Sequence, residues 1–296
     1  MIVLAAVFAV TGAASNAMGT AFQRKAASTV AQGGGLRLLV ELAHRPAWVI
    51  GVGGVAGAAM FQALALVNGP MALVQPLFVL ELPFALMIAA PLMHRRMPTS
   101  VWWSIAGVVT GLALVLAAAA PSGARDQASM VRWVPVLACC LGAMAVAVVV
   151  ARPGRPPLFR AAVLATASAI GNALTAAMLK SATGVFAGQG LVAFLTAWQT
   201  YGFALTGVAA VLLLENALQA GWLAASQPAL TIGDATVSLV LAVALFEEKI
   251  RMGWWLLPEV VGVGFIVWGV VMLSRAVPAV HGATGHGGMT ADHHPG

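Results

Sequence analysis

The sequence predicts an all-α membrane protein, a polytopic bundle of about nine spanning helices built from two inverted repeats. Of the 296 residues, 61% are hydrophobic and only 8% are charged, whereas a soluble domain carries about 25% charged residues. A chain this apolar cannot cover a globular surface with polar groups, so its outer surface faces lipid. The composition therefore excludes a soluble enzyme, a nucleic-acid-binding domain and a disordered chain.

The apolar runs have the length and uniformity of membrane helices. A span needs about 20 mostly apolar residues, and uniform runs favour helices because barrel strands alternate polar and apolar residues. The runs that qualify are residues 2–23, 46–67, 70–93, 101–120, 132–151, 158–179, 197–218, 222–246 and 253–274. Residues 26–45 carry charges among leucines, which suits an interfacial amphipathic segment, and 187–200 has the length of a half-helix.

One sequence pattern occurs twice in the chain. Gln75–Pro76 recurs as Gln227–Pro228, 152 residues later. Trp102–Trp103 recurs as Trp254–Trp255 at the same offset. One additional span separates the two copies, and an odd number of intervening helices inverts the second copy in the membrane. Mirrored halves around a midplane site are the architecture of secondary transporters.

The repeat divides the chain into four predicted parts. Residues 1–121 form the first repeat, with four spans and the interfacial segment, and 122–157 form a connecting span and loop. Residues 158–276 form the second repeat, also with four spans. The Gly- and His-rich stretch 277–296 is predicted to be a disordered tail, because its histidines are too loosely spaced for a metal site.

The basic residues predict the orientation in the membrane. One side receives ten Lys and Arg residues and the other receives five, namely Arg125, Arg132, Lys180, Lys249 and Arg251. Cytoplasmic loops carry the excess of positive charge, so the N-terminus is predicted outside and the C-terminus in the cytoplasm. The acidic pair Glu247–Glu248, at the end of a span, is interpreted as part of a solvated face.

Two carboxylates lie deep in predicted spans. Glu81 is near the middle of 70–93 and Asp234 near the middle of 222–246. An aspartate at mid-depth costs about 2.5–3.5 kcal/mol on insertion scales, so each residue needs a reason to be there. Under the offset of 152, Glu81 maps to position 233, next to Asp234. They predict a central site for a cation or a proton; alternatively, each is protonated or hydrogen-bonded and only tightens packing.

Other polar residues and two prolines complete the candidate site. Asn16 matches Asn172 at an offset of 156. Pro76 and Pro228 are expected to kink their helices and to free a carbonyl toward a cavity. Glu259, about a turn into the last span, lines either that cavity or the headgroup region. The candidate binding residues are Glu81, Asp234, Gln75, Gln227, Asn16, Asn172 and Glu259.

Several runs carry a family resemblance. They are Gln-Ala-Leu-Ala-Leu at 62–66, Gly-Pro-Met-Ala-Leu-Val-Gln-Pro-Leu at 69–77, Gln-Pro-Ala-Leu at 227–230 and Leu-Phe-Glu-Glu-Lys at 245–249. With them, most of residues 2–275 resembles the drug/metabolite transporter superfamily. The resemblance is to its EamA-like and NIPA-type branch, which includes uncharacterised actinobacterial membrane proteins. It implies a multi-pass protein of the bacterial inner membrane.

The resulting prediction is a secondary transporter that moves a small solute by alternating access. One alternative is a NIPA-type transporter of Mg²⁺, an ion that takes only one or two carboxylates and keeps several waters. A second is a non-transporting membrane scaffold. No phosphate-binding loop and no hydrolytic residue set occurs in the sequence, so no enzymatic activity and no cofactor are predicted. The predicted partners are lipid and a small-molecule or cation substrate, without nucleic acid, and the protein is predicted to be a monomer or homodimer.

Overall fold

The computed structural model describes residues 1–27, 44–92, 97–123, 125, 127–152, 154–220, 223–251 and 253–281. In these residues the secondary structure is helical, with one isolated antiparallel bridge and no strand. Nine of the described helices are long and apolar enough to cross a membrane. The predicted all-α bundle of nine spans is confirmed, and the chain is a membrane protein.

The described residues form ten α-helices. They are α1 (Ile2–Ala27), α2 (Pro46–Asn68), α3 (Met71–Leu77), α4 (Glu81–Leu92), α5 (Thr99–Ala119), α6 (Met130–Val150), α7 (Pro157–Thr196), α8 (Trp198–Ala220), α9 (Leu223–Phe246) and α10 (Leu256–His281). The third span, Met71–Pro91, combines α3, a 3-10 turn and most of α4. Prolines begin several helices, since a first-turn proline has the right φ and its missing N–H would have no partner there.

Helix α7 is longer than the sequence predicts. The predicted span ends at 179, but the helix continues to a kink at Gly190, where φ is 84° and ψ is −174°, and a short second helix follows as far as Thr196. Lys180, which the sequence suggests as the charged end of the span, is buried inside the helix. Its charge is compensated within the protein, as described below, so the helix need not end where the charge occurs.

Two predicted segments fall largely outside the described residues. Of the interfacial segment 26–45, residues 28–43 lie outside them. Of the tail 277–296, residues 282–296 lie outside them, while α10 continues as far as His281. The helix therefore extends into the first part of the predicted tail, where Val277, Ala279 and Val280 continue its apolar sequence.

The helices pack in corresponding pairs. In the first half α1 packs against α2 and against α3 and α4, and in the second half α7 packs against α8 and α9. The halves meet where α3 contacts α9 and where α5 contacts α10. Under the sequence offset, α3 and α4 correspond to α9, and α5 corresponds to α10. Two of the contacts between the halves thus join elements that the repeat treats as equivalents, while α2 also contacts α7.

Glycines allow the closest helix contacts. A Cβ atom added at Gly111 of α5 would lie 2.5 Å from the carbonyl oxygen of Gly262 on α10. One added at Gly54 of α2 would lie 2.8 Å from the Cα atom of Gly19 on α1. Small residues of this kind let helix backbones approach within the membrane. These two contacts hold together α5 with α10 and α1 with α2.

Candidate functional site

Glu81 lies where the third span changes its helix type. Helix α3 ends at Leu77, a 3-10 turn covers Phe78–Leu80, and α4 begins with Glu81. The change follows Pro76, which has no N–H to donate to the carbonyl one turn earlier. Glu81 is the central residue of the span Met71–Pro91. An irregular helix thus presents a carboxylate at mid-depth.

Asp234 occupies the equivalent depth in the second half. It lies in the middle of α9, which runs without interruption from Leu223 to Phe246. The hydroxyl of Ser238, one turn later and fully buried, donates to Asp234 Oδ1 at 3.3 Å. The helix is continuous through Pro228, in contrast to the change that follows Pro76. The side chains of Gln227 and Pro228 lie outside the described residues.

The two deep carboxylates belong to spans that contact each other. Helix α3, which leads to Glu81, contacts α9, which carries Asp234, although the two residues are 153 positions apart and belong to different halves of the chain. Both side chains are half-buried. Like charges repel, and more strongly where little water screens them. A cation or a proton that enters between these carboxylates relieves that repulsion.

Helix α1, which carries Asn16, passes beside the turn that precedes Glu81. A Cβ atom added at Gly12 would lie 3.0 Å from Cζ of Phe78, so α1 crosses the third span beside the 3-10 turn that precedes Glu81. Asn16 follows Gly12 by one helical turn and lies on the same face. It is half-buried. Its amide is therefore a neighbour of the region in which Glu81 lies.

Helix α7 provides the matching arrangement for Asp234. A Cβ atom added at Gly233 would lie 2.9 Å from the Cβ atom of Ala169, which places α7 against α9 beside Asp234. Asn172 follows Ala169 by three residues and shares its face of α7. The structure thus associates each deep carboxylate with the helix that carries its predicted asparagine.

Gln75 is the most buried of the described amide candidates. It is 4% exposed, and its Nε2 atom has no hydrogen-bond partner within the described part of the chain. A buried donor without a partner costs about 1–3 kcal/mol. It lies one turn after the start of α3 and about two turns before Glu81, on the helix that leads to the carboxylate pair. A polar ligand or a water molecule at this position would satisfy it.

Glu259 lies apart from the carboxylate pair. It is in the first turn of α10, half-buried, while Asp234 is at the middle of its own helix. A carboxylate in the first turn interacts favourably with the partial positive charge of the helix N-terminus. The sequence leaves open whether Glu259 lines the central cavity or the headgroup region, and this position in the helix favours the headgroup region.

A buried ion pair lies at one end of the bundle. The side chains of Lys180 and Glu248 are 1% and 0% exposed, and Lys180 Nζ lies 2.5 Å from Glu248 Oε1. The backbone N–H groups of Met71 and Ala72 donate to Oε1 and Oε2 of Glu248 at 2.7 and 2.8 Å. Lys180 Nζ also lies 4.6 Å from the ring centroid of Phe246. We call this part of the molecule the Glu248 end.

The sequence predicts that Glu248 is solvated, and this prediction is wrong. Its carboxylate caps the first turn of α3, whose N-cap residue, Pro70, makes no side-chain cap. Ser, Thr, Asp or Asn is the usual residue at that position. The missing cap was the one signal in the sequence that the first N–H groups of α3 need an acceptor from another part of the chain. The acceptor itself is 176 residues from Ala72, so local pattern could not identify it.

Glu247 behaves as the sequence predicts, with a side chain that is 37% exposed. Arg125 Nε lies 2.8 Å from its Oε2 atom, and Arg132 donates to its Oε1 atom. The hydrogen bond from Arg132, aided by the charges of both arginines, holds the pKa of Glu247 below its usual value. Three of the five basic residues assigned to the less basic side, Arg125, Arg132 and Lys180, therefore contact Glu247 or Glu248.

Comparison with known proteins gives one relative. The chain is 28% identical over 285 residues to an uncharacterized protein of Corynebacterium glutamicum, and the aligned region covers 94% of this chain and 93% of that protein. No protein-family model matches the chain, and no solved structure matches it. The similarity covers nearly the full length of both proteins, and an uncharacterized relative carries no activity across to this chain.

Proposed function

We propose that this protein is a secondary transporter of the drug/metabolite type, which moves a small solute across the bacterial inner membrane by alternating access. The position of Glu81 and Asp234 at mid-depth in two contacting spans, one from each half, is the observation that carries the proposal. Two mid-depth carboxylates from opposite halves form a cation- or proton-binding pair, and Gln75, Asn16 and Asn172 add amide groups on the helices around it. The N-terminus faces outward and the C-terminus lies in the cytoplasm.

The helix packing supports the proposal that the halves are inverted repeats. The first helix of each half packs against the second and third helices of that half, and two of the contacts between the halves, α3 with α9 and α5 with α10, join corresponding elements. Alternating access needs two halves that exchange conformations around a shared site. A scaffold has no use for carboxylates at mid-depth, which are costly to insert.

A thermal-shift experiment on the purified protein in detergent tests the site. The ligands are Mg²⁺, amines, amino acids and nucleobases, applied from mildly acidic to mildly alkaline pH. A ligand that binds the folded state raises the melting temperature. The variants are Glu81→Gln and Asp234→Asn, and the matched control is Glu215→Gln, an exposed carboxylate on α8.

The proposal expects a ligand that stabilises the wild type and Glu215→Gln but neither site variant. Flux of that ligand into proteoliposomes then tests transport. If Mg²⁺ alone stabilises the wild type, and both site variants lose this effect, the proposed substrate becomes the divalent cation and not an organic solute. Equal stabilisation of all four proteins would remove Glu81 and Asp234 from the site. No stabilisation and no flux of any ligand would favour the scaffold.

A further inference from the structure

The Lys180–Glu248 pair joins the two halves of the chain at one end. Glu248 follows α9 and Lys180 lies on α7, both in the second half, whereas the two N–H groups that Glu248 accepts belong to α3 in the first half. These helices also carry the candidate site. Helix α3 leads to Glu81, α9 carries Asp234, and Lys180 lies about two turns beyond Asn172 on α7.

We propose that Lys180 and Glu248 form the gate that closes the Glu248 end of the pathway, an inference that rests on the proposed transport function. In the closed gate, the carboxylate of Glu248 holds the start of α3 against α7 and α9. When the gate opens, Glu248 leaves the N–H groups of Met71 and Ala72, and the start of α3 separates from the second half. The pathway to Gln75 and to the carboxylate pair then opens from this end.

Ser122 and Gln127, which lie between α5 and α6, bond to the neighbours of the ion pair. Ser122 and Lys249 exchange two backbone hydrogen bonds of 3.1 and 2.9 Å. Gln127 Nε2 donates to the carbonyl oxygen of Ser181 at 2.6 Å, and the Ser181 hydroxyl donates to Gln127 Oε1 at 3.0 Å. This segment thus bonds to the residue next to Lys180 and to the residue next to Glu248. These bonds hold Ser122 and Gln127 beside the two residues of the ion pair.

The chemistry of the gate suits an element that must break and re-form. A buried ion pair gains Coulomb energy but loses hydration, so its net stabilisation is small. In the open state water hydrates the Lys180 ammonium, the Glu248 carboxylate and the freed N–H groups. In the closed state each of these groups has a partner inside the protein. Either arrangement satisfies the same polar groups, which keeps the two states close in free energy.

Thiol labelling tests the gate without any knowledge of the substrate. The background carries Cys139→Ala and Cys140→Ala, and the reporter is Gln75→Cys, one turn inside the gate. A membrane-impermeant methanethiosulfonate reagent is applied from the Glu248 end, predicted to face outward, and separately from the other side. The gate variant is Glu248→Gln. The control is Glu247→Gln, which removes the neighbouring, partly exposed carboxylate and its two arginine contacts.

Glu248→Gln is expected to raise the labelling rate from the Glu248 end by about tenfold or more, because an open state that is about 0.1–10% populated becomes common. Glu247→Gln is expected to leave the rate within about twofold of the background, since Glu247 makes none of the contacts to α3. Equal rates in the two variants would overturn the gate. Size-exclusion chromatography checks that each variant is folded.

A disulfide staple keeps the proposal testable if Glu248→Gln does not fold. Ser122 and Lys249 form a hydrogen-bonded antiparallel pair, for which the Cα atoms are about 5.5 Å apart, within the range of about 4.4–6.8 Å for disulfides. In the double variant Ser122→Cys/Lys249→Cys, oxidation is expected to abolish labelling of Gln75→Cys from the Glu248 end, and reduction is expected to restore it. Unchanged labelling on oxidation would overturn the gate.

Thiol labelling tests the gate and ligand flux tests the transport function, so the two measurements distinguish the two proposals. Labelling that responds to Glu248→Gln or to the staple, in a protein that moves no ligand, supports the closure and overturns the transport function. If a ligand is transported but neither Glu248→Gln nor the staple changes the labelling rate, the gate is overturned and the transport function is supported.

Discussion

Glu248 Oε1 lies 2.5 Å from the ammonium of Lys180, and the same carboxylate accepts the first two N–H groups of α3. One buried side chain therefore neutralises a cation and caps a helix. Its partners come from two separate stretches of sequence, and each belongs to a helix that carries a candidate site residue, Gln75 on α3 and Asn172 on α7. A change at this point is expected to affect the stability of the protein and the closure of the bundle together.

Lys180→Met is expected to lower the free energy of unfolding by about 3–5 kcal/mol, because it leaves the Glu248 carboxylate buried without its countercharge. Denaturant or thermal unfolding in detergent measures the change. Lys249→Met is the control, since the side chain of Lys249 is exposed; a surface substitution of this kind stays within about 0.5 kcal/mol. Similar losses in both variants would show that the buried pair has no special role.

The ionisation of Glu247 is expected to make the stability of the protein depend on pH in the acidic range. Because the pKa of Glu247 is lowered in the folded protein, its contribution to stability is present above the pKa of the unfolded chain, about 4.3. The contribution is lost as the pH falls through the lower folded value. Melting temperatures of the wild type are expected to fall more steeply than those of Glu247→Gln over this acidic range. Parallel curves for the two proteins would contradict the prediction.

Gly111→Ala tests the contact between α5 and α10. The new Cβ atom would lie 2.5 Å from the Gly262 carbonyl oxygen, so the two backbones must separate, at a cost of about 1–3 kcal/mol. The control is Gly142→Ala on α6, where a Cβ atom meets nothing within 4 Å. That control is expected to be neutral or up to about 1 kcal/mol more stable, because alanine favours the helix. A neutral Gly111→Ala would mean that the helices tolerate a wider spacing.

The carboxylate pair predicts non-additive substitutions. Because two ionised carboxylates at mid-depth in contacting spans repel each other, Glu81→Gln and Asp234→Asn are each expected to raise the stability of the ligand-free protein when both groups are ionised. The double variant is expected to gain less than the sum, with a coupling of about 0.5–3 kcal/mol. Thermal unfolding at alkaline pH measures it, and Glu215→Gln combined with Asp234→Asn is the additive control. Additive effects at Glu81 and Asp234 would show that the pair does not interact.

Hydropathy along the chain predicted most of the fold. It identified nine spans because a membrane helix satisfies its own backbone hydrogen bonds and needs only an apolar run of sufficient length. It also identified Glu81 and Asp234, because depth in a span can be read from position in the run. The predicted end of α7 was wrong, since a charged residue such as Lys180 ends a span only where nothing inside the protein compensates the charge.

The sequence by itself thus determined the class of the protein, the number of its spans, and the depth of its two central carboxylates. These properties follow from local composition and from distances along one helix. The tertiary structure decided which charges are buried and what they contact. Glu247 and Glu248 are neighbours of the same type, yet one meets two arginines at the surface and the other meets Lys180 and the start of α3 in the interior. Their burial depends on partners that only the folded bundle brings together.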